Sequence, residues 1–276
     1  MPAMDAATAN KQEDTMAYNS IILTKEDNIA IIQMNNPKAM NALEDELSAE
    51  LLDAYKDVAA DPKIGAVILT GAEKAFCAGG DLKKLSKGFE SVEAGYDYMK
   101  SFRAMVTTFM NMPKPTIAAV NGYAVGAGFC IAMQADLILA SDKAKFGMAF
   151  QGVGLIPDLA GMYTLPRLVG LQRAKELIFT GRTIGAEEAK EMGIVNQIVT
   201  HDDLLAEAKK LAIKLANGPR VALRMAKNVI NDSINMTLEQ LLDLEPHAQA
   251  ICFASEDHKI GVNAFFAKEK PKFVGK

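Results

Sequence analysis

Two glycine-rich turns hold the residues best placed to do chemistry in this chain. The first is Asn121-Gly122-Tyr123-Ala124-Val125-Gly126 with Ala127-Gly128, which follows the apolar run Thr116–Val120 and leads into Phe129–Met133. Pro113-Lys114-Pro115 introduces the run, so the stretch reads as strand, tight turn and helix N-terminus. Small residues let a ligand approach the backbone there, and the N–H groups of a first helical turn attract developing negative charge. The second turn, Ala78-Gly79-Gly80-Asp81, lies between Phe76-Cys77 and Leu82-Lys83-Lys84. Two such turns in one α/β domain can aim two backbone N–H groups at one point, the minimal oxyanion hole for charge that appears on a carbonyl oxygen. The same glycines would equally serve tight packing of helix on strand, and residue types alone leave both readings open. The spacing fits neither a dinucleotide-binding GxGxxG nor a phosphate-binding GxxxxGK[ST].

The elements that must position these turns alternate. Ile21–Leu23 and Ile29–Ile32 flank Glu26-Asp27-Asn28 as a β-hairpin, and Leu47, Leu51, Tyr55 and Val58 place an amphipathic helix over Glu44–Ala59. Ala66–Thr70 reads as a strand covered on both faces, Met99, Phe102, Val106 and Phe109 as a further helix, and Ala135–Ala140 as another strand. Beyond residue 200 the pattern turns helical, over 201–217, 221–231 and 237–266, with apolar faces that need partners. The expected division is a disordered tail over 1–19, a core over 20–200 and a helical C-terminal region over 201–276.

Composition narrows the class. The chain has 276 residues, of which 50% are hydrophobic and 23% charged, enough for a sizeable core of ordinary soluble type. A net charge of −4 argues against a nucleic-acid-binding surface, and no apolar run approaches the ~20 residues that span a bilayer. Cys77, Cys130 and Cys252 are too widely spaced for a zinc site and suit reduced thiols, hence a cytoplasmic setting. The tail lacks the apolar segment of a secretory signal.

The order of motifs resembles the crotonase, or enoyl-CoA hydratase/isomerase, superfamily. Asn36-Pro37-Lys38-Ala39-Met40-Asn41-Ala42-Leu43, Phe76–Leu82, Lys114–Gly122, Gly126-Ala127-Gly128 and Leu177–Arg182 with Ala189 and Gly193-Ile194-Val195 carry it, from Tyr18 to Phe273. The resemblance implies an α/β fold, a spiral of ββα units with a mostly α-helical C-terminal region that builds trimers or hexamers. It implies an acyl-CoA thioester as the partner and no separate cofactor or metal. It puts the oxyanion-hole N–H groups at Gly80 and Ala127, with Ala78, Gly79, Asp81, Leu82, Gly126 and Phe150 around the thioester. Lys38, Ala39 and Met40 would line the nucleotide end of CoA, and Lys268 would either reach its phosphates or remain a solvated surface lysine.

Departures from the family pattern decide the expected chemistry. Hydratases of this superfamily use two glutamates, and here those places fall on Cys130 and Phe150. Cys130, with no histidine near in sequence, is a small core residue. Asp158, in Gly152-Val153-Gly154-Leu155-Ile156-Pro157-Asp158, precedes a helix expected over Ala160–Leu168 and so reads as an N-cap. The resemblance offers a second role, because one branch, which includes the ring-epoxide isomerase of phenylacetate degradation, places its acid/base aspartate here. Burial beside Phe146, Phe150, Leu155 and Ile156 would raise its pKa toward a working range. The expected function is an isomerase that moves a double bond in an enoyl-CoA through a dienolate. Hydration, other CoA-thioester chemistry such as aryl-CoA dehalogenation, and a non-catalytic CoA-binding role are the alternatives. Tyr96, Tyr98, Met99, Phe102 and Met105 fall on the family's variable acyl-pocket helix, where ordinary core packing is the competing explanation.

Overall fold

Runs of Val, Ile, Leu and Ala without polar interruption tolerate only a sheet that is covered on both faces. The computed structural model, which describes residues 14–276 and side chains from Tyr18 onward, builds such a sheet from them. In chain order the first part holds β1 (Asp14–Ala17), β2 (Ile21–Glu26), β3 (Ile29–Met34), α1 (Asp45–Ala60), β4 (Ala66–Gly71), β5 (Ala75–Cys77), α2 (Leu82–Leu85), α3 (Val92–Ser101) and α4 (Arg103–Met110). The middle holds β6 (Thr116–Val120), β7 (Tyr123–Val125), α5 (Ala127–Ala132), β8 (Leu137–Ser141), β9 (Lys145–Gly147), α6 (Gly161–Val169), α7 (Leu171–Thr180), β10 (Thr183–Gly185), α8 (Ala186–Glu191) and β11 (Gln197–Val199). Four helices end the chain: α9 (Leu204–Ala216), α10 (Arg220–Ser233), α11 (Leu238–Ala254) and α12 (Glu256–Ala267).

The large sheet has the order β1-β2-β3-β4-β6-β8-β11, antiparallel from β1 to β3 and parallel from β3 onward. A second sheet, β10-β9-β7-β5, runs beside it, parallel except for the β9–β10 pair. Each turn of the chain gives one long strand to the first sheet, one three-residue strand to the second, and then a helix. β4-β5-α2, β6-β7-α5 and β8-β9-α6 are three successive turns of this ββα spiral.

Two apolar layers hold it. One fills the space between the sheets and α1, α4 and α5, around Leu51, Tyr55, Phe76, Phe109, Phe129 and Phe146. The other lies on the outer face of the large sheet, where Ile31, Ile68, Ile117 and Leu139 are covered by Leu204, Ala208, Ala212 and Ala216 of α9. The division expected at residue 200 therefore moves: α9 spends its apolar face on the sheet and belongs to the spiral core. The tail expected over 1–19 is also cut short, because Asp14–Ala17 pairs antiparallel with Lys25–Ile22; residues 1–13 lie outside the described residues. α10 is tied to the core by the buried Lys227, whose Nζ donates to Asp136 Oδ2 at 2.8 Å and to the Lys114 carbonyl at 3.2 Å. Among the described residues no helix is long and apolar enough to cross a membrane.

Candidate active site

The two glycine turns meet. Gly79 adopts φ +107°, and a Cβ there would fall 2.9 Å from the Val125 carbonyl oxygen and 3.7 Å from the Ala127 nitrogen. Gly128 lies closer still to the other turn, since a Cβ on it would sit 2.0 Å from the Cys77 carbonyl oxygen. These contacts require glycine, so the packing reading holds for Gly79 and Gly128, and the packing is what draws the turns together. Among the described residues neither the Gly80 N–H nor the Ala127 N–H has an acceptor, although their neighbours do. Leu43 N–H donates to the Gly79 carbonyl at 2.7 Å, Ala78 N–H to the Met40 carbonyl at 3.0 Å and Gly126 N–H to the Gly147 carbonyl at 2.8 Å. Asp81 is committed to its own helix, accepting from Lys83 N–H at 2.9 Å to cap α2.

Two asparagines that the motifs contained, but that sequence reasoning gave no role, hold this frame. Asn41, fully buried, accepts from Asn36 N–H and donates to the Ala72 and Ala75 carbonyls at 3.2 and 2.8 Å. Asn121 accepts from Gly71 N–H and donates to the carbonyls of Glu73 and Ala75. Both act as surrogate backbone for main-chain groups over 71–75, where the chain passes from β4 to β5. A polar amide beside glycines at the end of an apolar strand was the available signal.

Asp158 sits between a 3-10 turn over Ala149–Val153 and α6, and it is not the helix cap. The cap is Ala160 at φ 67°, with Leu159 before it at φ 44°, so two consecutive non-glycine residues are left-handed. That backbone is strained, and strain of this kind gathers at functional positions. Its bonds are Gly161 N–H to the Asp158 carbonyl at 2.6 Å and Gln134 Nε2 to the Leu159 carbonyl at 2.9 Å. The turn frees the Asp158 side chain from capping, and its Oδ1 is buried without a hydrogen-bond partner. Burial pushes the Asp158 carboxyl up to about 6, moderated only by its own backbone N–H. Leu155 and Ile156, expected to bury it, are instead 47% and 75% exposed, because the loop turns their side chains outward. Cys130 is fully buried, and its Sγ would lie 2.4 Å from a Cβ on Gly161, directly under the Asp158 turn. Phe150 is buried against Gly126.

The half-buried Tyr98 borders the same region. Its phenol is raised by burial and by the charges of Asp45, Asp158 and Asp81. Its ring packs at 5.1 Å from those of Phe89 and Phe102, with Lys84 Nζ 4.3 Å from its centroid. Phe102 and Met105 of the same expected pocket helix are buried core residues, whereas Tyr96 and Met99 are exposed.

Comparison with known proteins places this geometry. Residues 24–276 match a family model described as Enoyl-CoA hydratase/isomerase. The chain belongs to that family. Among its relatives is a crotonyl-CoA hydratase from Syntrophomonas wolfei, 39% identical over 95% of this chain and 100% of its own. A 1,2-epoxyphenylacetyl-CoA isomerase from Escherichia coli is 38% identical over 91% of this chain and 97% of its own. Among solved structures, an enoyl-CoA hydratase/isomerase from Cupriavidus metallidurans superposes with a TM-score of 0.90 at 33% identity, covering 94% of this chain and 98% of its own. An enoyl-CoA hydratase from Bacillus anthracis gives 0.88 at 34%, covering 94% and 100%. The expected crotonase fold is thus the observed one, and the family acts on acyl-CoA thioesters.

The residues expected at the CoA end divide. Lys38 and Ala39 form a 3-10 turn with Pro37, followed by the exposed, left-handed Met40, and the Ala78–Met40 bond joins that turn to Gly79 and Gly80. Leu82 is 58% exposed at the start of α2, on the same rim. Lys268 is not brought to this group: it ends α12 in a left-handed conformation, on a helix that packs chiefly against α11. Among the described residues no three His, Cys, Asp or Glu side chains are grouped as a metal site.

Proposed function

We propose that this protein is an acyl-CoA isomerase that moves a C=C bond between the 2,3 and 3,4 positions of its acyl group. The observation that carries the reading is Asp158, whose Oδ1 is buried without a hydrogen-bond partner, while Cys130 and Phe150 hold no carboxylate. The unpaired N–H groups of Gly80 and Ala127 would donate to the thioester oxygen, with Ala78, Gly79 and Gly126 leaving room and Phe150 as the apolar wall. Polarised in this way, the substrate becomes acidic at C2 of a 3-enoyl chain, or at C4 of a 2-enoyl chain. The Asp158 carboxylate takes that proton, and the electron pair spreads into a dienolate whose charge rests on the thioester oxygen between the two donors. The protonated Asp158 then returns the proton at the other end of the allylic system, so one base on one face serves both steps. The scheme calls for neither a metal nor a redox cofactor. Lys38, Ala39 and Met40 would line the nucleotide end of CoA, and Lys268 would reach its phosphates from another copy of a trimer or hexamer.

A hydratase is the second reading, favoured by the name of the Syntrophomonas relative. It would require Asp158 to activate water alone. The test is to incubate the purified chain with 3-enoyl-CoA esters of several lengths and to follow conjugation with the thioester in the ultraviolet, beside crotonyl-CoA hydration against a buffer blank. Conversion of the 3-enoyl esters is expected. Hydration without isomerisation at any length would replace this reading with the second.

A further inference from the structure

Gln134 is a buried amide that neither the proposed chemistry nor the core calls for. It lies just past the end of α5, whose six residues, Ala127–Ala132, are all apolar and buried, and it is itself 4% exposed. The hydrogen bond its side chain makes runs from Nε2 to the Leu159 carbonyl at 2.9 Å, and its Oε1 is buried without a partner. A buried acceptor left unpaired is unfavourable, so an apolar side chain would suit this place better if packing were all it served. The bond falls on the backbone least able to keep its shape unaided. Leu159 and Ala160 directly follow Asp158 and are left-handed at φ 44° and 67°, a conformation that residues with a Cβ avoid. Gly161 N–H closes this turn onto the Asp158 carbonyl at 2.6 Å, and the Thr164 hydroxyl donates to the Ala160 carbonyl at 3.0 Å. Both of those donors belong to α6, the turn's own helix, whereas Gln134 reaches the turn from α5. α5 begins with Ala127, one of the two N–H groups proposed to hold the thioester oxygen. The same short helix thus carries a proposed donor at one end and, just past the other, the amide that fixes the turn bearing the proposed base.

We propose that Gln134 is a positioning residue: it ties the left-handed turn at Leu159-Ala160 to α5 and so holds Asp158 in register with a thioester bound at Ala127. The proposal rests on the reading of Asp158 as the acid/base. A helix is a stiff spacer, whereas a strained turn held only by its own helix would relax and carry the carboxyl with it. An amide suits the task because it is neutral. A lysine or arginine in its place would bring a cation to the turn, making the carboxyl easier to ionise and a weaker base.

The experiment compares the wild-type full chain with Gln134→Met, which keeps the length of the side chain and removes the donor, and with the double variant that adds Ala160→Gly. Glycine enters the left-handed region freely, so it should restore the turn without the bond. In hydrogen-exchange mass spectrometry, peptides over 157–163 should exchange about tenfold faster or more in Gln134→Met, with those over 76–82 unchanged. With a 3-enoyl-CoA ester, kcat should fall by about 10-fold to 10²-fold while KM stays within about twofold, and the double variant should regain most of the loss. Gln134→Leu is carried in parallel, so that a misfolded Gln134→Met does not decide the outcome. Unchanged exchange over 157–163 overturns the proposal, as does a loss of kcat that Ala160→Gly does not recover. A lower melting temperature with kcat unchanged overturns it too, because Gln134 would then serve the fold alone. The exchange measurement requires no turnover, so a chain that fails to isomerise would sink the proposed function while residues 157–163 still judge Gln134.

Discussion

A carboxyl with one oxygen buried and unpartnered works against the fold, and at position 158 the sign of that effect can be worked out. Its folded pKa of about 6 lies above the unfolded value of 3.8, so between these the native state binds more protons than the unfolded chain. The stability linked to this group is fully present below 3.8 and is lost as the pH rises through about 6. Asp158→Asn, neutral at every pH, should therefore melt higher than the wild type above pH ~6 and lose that advantage toward pH 4, with a gain on the order of 1–3 kcal/mol. Thermal melts at several pH values check this, and a uniform offset would show that ionisation is not its source. The same substitution should reduce isomerisation by ~10²–10⁴-fold, the range for loss of a positioned general base. In the wild type, kcat/KM should rise through about pH 6 as the carboxyl ionises. That Asp158 is the residue to watch could be read from the sequence only through the family resemblance, which puts the two glutamate places at Cys130 and Phe150 and an acid/base aspartate of one branch at 158. Its release from capping could not be read there, because Leu159 and Ala160 are residue types that give no warning of a left-handed backbone.

At the scale of elements, the site depends on α5 and α6 meeting with almost no space between them, and Gly161 over Cys130 is the contact that shows it. A methyl group on Gly161 would come within 2.4 Å of the sulfur but 3.4 Å or more from its other neighbours. Gly161→Ala should thus be clearly destabilising, and Cys130→Ala in the same chain should recover part of the loss. Denaturant melts of the two single variants and the double variant should give a coupling energy of about 0.5–3 kcal/mol; strict additivity would mean that the two residues are not in contact. The long strands, the first hairpin and α1 could be read from hydrophobic period alone. The second sheet could not, since β5, β7, β9 and β10 are three residues each, too short to display an alternation. Nor could the break between α3 and α4: Met99, Phe102, Val106 and Phe109 keep a helical spacing straight through it, while Phe102 N–H turns back to the Met99 carbonyl in a tighter turn. The segment 237–266, read as one helix, splits at Ser255, whose side chain accepts from His258 N–H and caps α12.

At the scale of the molecule, the helices after α9 are left with more apolar surface than one chain covers. α11 has no buried residue, and Leu238, Leu242, Phe253, Phe265 and Phe266 are each more than half exposed. A groove of about 1170 Å³ between α10, α11 and α12 is lined by Met225, Leu242, Phe265 and Phe266 among others. α12 is nonetheless held firmly, because the buried Asp257 carboxylate accepts from the N–H groups of Val274 and Gly275 and folds the C-terminal segment back onto it. A rigid surface with large apolar side chains marks an association site, and ordered helices that leave aromatic rings in water are costly to maintain alone. The proposed occupant is another copy of the chain, in a trimer or a dimer of trimers, which would also bring a second chain's Lys268 toward the CoA end of the site. Sedimentation equilibrium in dilute buffer should then give three or six times the 29.7 kDa chain mass. Phe265→Glu with Phe266→Glu should shift the distribution toward smaller species and lower activity at low protein concentration, with recovery on concentrating the sample. A stable species of one chain mass with full activity would show that these faces are not subunit contacts and that the site is complete within one chain.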